Sequence, residues 1–109
     1  MITLELTNPE TGEKAVFERP DTTLEEMGAY YTFKNELTEK SMLGEMTDNE
    51  AIDKQLDYVV KLFNKKSLTA KRMKKEILSK DFYKKLRGVY RQIDPENVIS
   101  EEDLVEGKQ

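Results

Sequence analysis

The chain contains no cysteine and no histidine. Without cysteine there is no disulfide and no thiolate metal site. Without histidine the commonest general base and metal ligand is missing. No run approaches the roughly 20 apolar residues that span a bilayer. The first residues, MITLELTNPE, lack both the basic region and the apolar region of a signal peptide. A soluble, intracellular protein is expected. Gly12, Gly28, Gly44, Gly88 and Gly107 stand isolated, so there is no glycine-rich phosphate loop. Ser41, Ser67, Ser79 and Ser100 have no histidine to activate them. Asp53 and Asp57 lie four apart, but a calcium loop begun at Asp48 fails at Ile52 and Asp53, where an oxygen ligand and a glycine belong. The pair reads as a solvated helix face. No catalytic, cofactor-binding or metal-ligating residue is expected, and the chain does not read as an enzyme.

What is present is charge and helical periodicity. Hydrophobic and charged residues each make up 37% of the 109 residues, so one domain with a small core is expected, and self-association would be a natural supplement. The charge is segregated. Residues 1–60 hold 5 Lys/Arg against 14 Asp/Glu, a net of −9; residues 61–91 hold 12 against 2, or +10; residues 92–109 hold 1 against 6, or −5.

Ile2, Leu4 and Leu6 alternate with polar residues, and Ala15 and Phe17 do so again after the turn-forming TNPETGE. This predicts a β-hairpin over about residues 2–18, which must pack on helices to persist. Pro20 ends it. Asp21 or Thr22 then caps a helix over about residues 23–37, with Thr22 and Glu25 as a capping box and Leu24, Met27, Tyr30, Tyr31 and Leu37 as its face. Residues 40–47 read as a loop. Its Met42, Leu43 and Met46 either cover the core or form an adaptable contact surface.

The stretch DNEAIDKQLDYVVKLFN carries Ile52, Leu56, Val59 and Phe63 at i, i+4, i+7 and i+11, the pattern of a helix capped at Asp48. A short helix over about 70–78 follows a cap at Ser67 or Thr69. A last helix over about 81–93 repeats the central pattern with Phe82, Leu86, Val89 and Ile93, and the two stripes suit face-to-face packing. The reading is a mainly α, α+β fold. A small N-terminal hairpin packs on a bundle of about four helices over residues 1–93, and a flexible acidic tail occupies residues 94–109.

The basic segment supplies the candidate partner-binding residues: Lys71, Arg72, Lys74, Lys75, Lys84, Arg87 and Arg91. With Tyr83 and Tyr90 nearby, such a face could neutralise phosphates, as in a small nucleic-acid-binding regulator. Against this, no recognition-helix or RNA-binding signature is present and the chain is acidic overall. A solvated basic surface, or a contact with acidic protein surfaces including further copies of this chain, fits as well.

Residues 56–78, LDYVVKLFNKKSLTAKRMKKEIL, take an apolar helix through Phe63-Asn64 to a Leu-Thr helix start at Leu68-Thr69. In this they resemble the tail assembly chaperones of long-tailed bacteriophages and prophages, particularly of Gram-positive hosts. The basic Lys71-Arg72-Met73-Lys74-Lys75 run departs from the more acidic residues expected there. The resemblance implies a short β element before a helical body, as read above. It implies no catalytic residue. It also implies a non-structural protein of the host cytoplasm that coats the hydrophobic tape-measure protein and recruits tail-tube subunits. Members often come in two lengths through a frameshift. Glu106-Gly107-Lys108 can be encoded with a slippery heptamer, so a longer form is expected beside this one.

Overall fold

The alternation at Ile2, Leu4 and Leu6 produces β1 (Ile2–Thr7), and β2 (Lys14–Arg19) runs antiparallel to it. The register sets Leu4 opposite Phe17 and Leu6 opposite Ala15, so one face of the hairpin is apolar. Ile2, Leu4, Leu6 and Phe17 are buried on it. The connecting turn is closed by Asn8. Its N–H donates to Glu13 O, its carbonyl accepts from Gly12 N, and its side chain accepts from Glu10 N. Gly12 sits at φ +76°, a left-handed conformation that only glycine adopts without cost.

The computed structural model describes residues 1–96. After the hairpin come α1 (Leu24–Met42), α2 (Asp48–Phe63), α3 (Ala70–Glu76), a 3-10 turn (Ser79–Asp81) and α4 (Phe82–Ile93). The predicted α+β fold, a hairpin with four helices, is what forms. The acidic tail read at 94–109 lies, from residue 97 on, outside the described residues.

The helix limits differ from the sequence reading, for local reasons. Thr23, not Asp21 or Thr22, caps α1 in a reciprocal box with Glu26. Thr47, not Asp48, caps α2 in the same way with Glu50. Each box satisfies two otherwise orphaned backbone groups. Helix α1 runs on past Leu37 because nothing from Thr38 to Met42 breaks it, and Glu36 pairs with Lys40 along the added turn at 2.9 Å. The loop before α2 is correspondingly short and turns at Gly44, φ +72°. Helix α2 stops at Asn64, left-handed at φ 52°. Of the two candidate caps for α3, Thr69 is the one used.

One core joins all these elements. Leu56, Val59 and Phe63 of α2, Met73 of α3, and Leu86, Val89 and Ile93 of α4 are buried in it with the hairpin's apolar face and Tyr30. The matched stripes of α2 and α4 share this core, yet the backbone of α4 comes closest to β1. Helix α1, like α3, has one fully buried residue, Tyr30, and its first residue, Leu24, is 81% exposed. Asp94, just past α4, is buried and accepts a hydrogen bond from the Tyr31 hydroxyl, which fastens the end of α4 to α1.

Candidate partner-binding surfaces

Helix α1 has two apolar rows. Met27, Tyr30 and Tyr31 turn toward the core, Ala29 and Leu37 line an open groove of about 340 Å3 between α1 and α2, and Phe33 packs on the core at the base of that groove. Tyr58 and Met46 complete its apolar lining, and Glu36, Lys54, Asp57 and Lys61 add charges of both signs. Phe33 and Tyr58 stack at a centroid distance of 4.4 Å with planes 9° apart, giving the groove a rigid floor. Behind them Tyr30 and Tyr90 approach at 5.2 Å, and the Tyr90 hydroxyl donates to Gln55 Oε1 at 3.0 Å. Burial pushes the Tyr58 and Tyr30 hydroxyls up to about 12 and Tyr90 higher still, so the cluster carries no charge near neutral pH. Met42, the last residue of α1, and Leu43, its C-cap, are 82% and 63% exposed. Of the two sequence readings of residues 40–47, an adaptable contact surface fits these two, and only Met46 tucks in.

The seven basic candidates are not equivalent. Arg72 is held on three sides. Its Nε meets Glu76 Oε2 at 2.8 Å, its Nη1 donates to Ser67 O at 3.1 Å, and its guanidinium lies 5.4 Å from the centre of the Phe17 ring. It thus joins α3, the α2–α3 connector and β2. Lys74 reaches Asp53 of α2 at 2.7 Å. Lys71 and Lys75 border, with Arg72, a cavity of about 600 Å3 between α3 and the hairpin turn. Lys84 borders a separate one of about 380 Å3 along β1. Arg87 is half-buried and Arg91 exposed on α4. Lys85, part of the same basic stretch as Lys84 and Arg87, donates to Glu5 O at 2.8 Å. Among the described residues no cluster of carboxylates is arranged to hold a metal ion, and no helix is long and apolar enough to cross a membrane.

The sequence reading placed Leu37 on the face of α1 and Met46 in the loop after it, but missed Ala29 and Phe33 because a single inward face was sought on α1. The signal was there: Ala29, Phe33 and Leu37 at i, i+4 and i+8 form a second row that a one-sided helix does not need.

A family model described as phage tail chaperone protein matches residues 1–109, the full chain. No curated protein and no solved structure matches it.

Proposed function

The chain belongs to the phage tail chaperone family, and from that premise we propose that it binds the tape-measure protein and helps recruit tail-tube subunits while the tail assembles. The work would take place in the cytoplasm of the bacterial host and requires no catalysis. The observation that carries this reading is the groove between α1 and α2. It offers apolar and aromatic side chains, open to solvent, along a helix with a single fully buried residue. An amphipathic helical stretch docks in such a groove through residues one turn apart. The exposed Met42 and Leu43, at the end of α1, add apolar side chains that tolerate varied sequences.

Self-association would let successive copies line a long tape measure. The net +10 of residues 61–91 and −9 of residues 1–60 favour the basic face of one copy against an acidic face of the next, with exposed Lys71, Lys75, Lys84 and Arg91 as its partner-binding residues. Such a contact is heterologous and weakens with salt. Engagement of Arg72 by Glu76 and of Lys74 by Asp53 weakens the case for nucleic-acid binding through the same segment.

The test is co-purification of the wild-type chain, and of Phe33→Asp and Leu37→Asp variants, with a tagged tape-measure protein from the same phage. Phe33 and Leu37 are half-buried at the groove, so circular dichroism accompanies each pull-down. Wild-type capture, lost in folded groove variants, is the expected result. Capture undiminished in both variants would remove the groove from the proposal, and no wild-type capture would end it.

A further inference from the structure

The two edges of the hairpin differ. The outer edge of β1 is covered by α4: Thr3 N donates to Gln92 Oε1 at 2.8 Å, Thr3 O accepts from Gln92 Nε2 at 3.0 Å, and Glu5 O accepts from Lys85. Thr3 and Glu5 therefore direct their backbone groups away from β2. The register sets Glu18, Val16 and Lys14 opposite Thr3, Glu5 and Thr7, so their N–H and C=O groups point outward on the other side. Among the described residues these outward groups have no backbone partner. Val16 is 56% exposed. Beside this edge an open cavity of about 520 Å3, bordered by Phe17, Lys65, Ser67 and Arg72, leaves room for the side chains of an added strand.

We propose that β2 of a second copy adds to this edge, antiparallel about Val16, and joins the two hairpins into one four-stranded sheet. The sequence KAVFER is complementary to itself in that register. Val16 meets Val16 of the second copy, and Lys14 meets its Glu18 at both ends of the contact. Each of these facing pairs exchanges two backbone hydrogen bonds, and the opposite charges face one another across the strands. Parallel pairing would bring Lys14 near Lys14 and Glu18 near Glu18. A slip of two residues would set Lys14 against Val16 and lose a pair. Charges on an edge strand ordinarily discourage pairing; here their opposite signs admit this one partner. The contact is isologous and closes as a dimer. It rests on backbone hydrogen bonds, which distinguishes it from the salt-sensitive head-to-tail contact, and it does not depend on the tape-measure reading.

Sedimentation velocity over a range of protein concentrations tests the pairing: wild type and Val16→Pro are compared in high salt, where the head-to-tail contact is screened, and a charge swap is compared in low salt, where like charges still repel. Wild type is expected to dimerise. Lys14→Glu and Glu18→Lys, each placing like charges opposite one another, are expected to dimerise several-fold more weakly, and the double swap to recover. Both positions are exposed, and the Lys14–Glu5 pair at 3.7 Å that Lys14→Glu gives up is an exposed one of small worth, so folding is little disturbed. Val16→Pro removes an outward N–H that no bond within the hairpin uses and is expected to abolish the dimer while the circular dichroism spectrum stays that of wild type. A wild-type monomer at the highest soluble concentration overturns the proposal and leaves the edge to an extended segment of another protein. A dimer indifferent to Val16→Pro, or single-swap losses without recovery in the double swap, overturns it equally.

Discussion

Gln92 of α4 satisfies both outward backbone groups of Thr3, accepting from its N–H at 2.8 Å and donating to its C=O at 3.0 Å. One side-chain amide thus stands in for a third strand, 89 residues away in sequence. Gln92 Nε2 also donates to Gly88 O at 3.0 Å, which fixes its orientation along the helix. This explains why α4 lies nearer β1 than α2.

Gln92→Ala should cost about 1–2 kcal/mol, the range for losing hydrogen bonds at a site that water can reach. Urea denaturation measures the loss. Amide exchange locates it: Thr3 N–H should lose protection well before Leu4 N–H, which faces β2. Unchanged exchange at Thr3 would mean that Gln92 does not hold the edge.

Leu56 and Leu86 are each 2% exposed in the shared core. Replacing either with Asp buries a charge without a partner and should cost several kcal/mol, enough to unfold or aggregate a domain of this size. Leu56→Ala should cost about 2–5 kcal/mol. Thermal melting followed by circular dichroism reads both effects, and wild-type melting temperatures in both Asp variants would contradict the core described here.

These stripes were legible in the sequence because each element repeats its period strongly: Leu56, Val59 and Phe63, then Leu86, Val89 and Ile93. Helix ends were less legible. Thr22 with Glu25 and Thr23 with Glu26 both satisfy the capping pattern, and the pairing of Arg19 with Glu26 favours the second. Thr38 to Met42 is polar enough to read as loop, yet holds no breaker, so the helix continues through it. The covering of one hairpin edge and not the other was invisible, since it depends on Gln92 meeting Thr3 across the fold. The basic run was plain as charge, but nothing local showed that Arg72 would be spent on Glu76, Ser67 and Phe17.

Glu26 links the cap of α1 to the end of the hairpin. Arg19 meets its carboxylate at 2.8 Å, and Thr23 N donates to it at 3.1 Å. The Arg19 hydrogen bond first, and the Thr23 backbone bond second, hold its pKa below the ordinary 4.5. A depressed folded-state pKa contributes stability that is full above the unfolded value and is lost as pH falls through the folded one. Glu26→Gln should therefore destabilise the protein at neutral pH, and the difference from wild type should shrink as pH falls below 4.5. Parallel urea titrations at neutral and acid pH measure this. A constant difference across that range would show that charge on Glu26 contributes nothing.

Arg72→Lys separates a structural from a recognition role for the basic segment. Lysine preserves the positive charge but has no planar fork, so it cannot meet Glu76 and Ser67 O together while lying over Phe17. Glu76 is only 13% exposed and would keep a poorer partner. The substitution should cost about 1–2 kcal/mol, as expected for a charge-assisted hydrogen bond with its packing. Lys71→Ala and Lys75→Ala, at exposed positions without such ties, should each stay within about 0.5 kcal/mol of wild type. Their effect should fall instead on salt-dependent association. Denaturation midpoints and light scattering on the three variants make the comparison. If Arg72→Lys melts as wild type while association falls, Arg72 belongs with the recognition residues and its contacts to Glu76 and Phe17 are incidental.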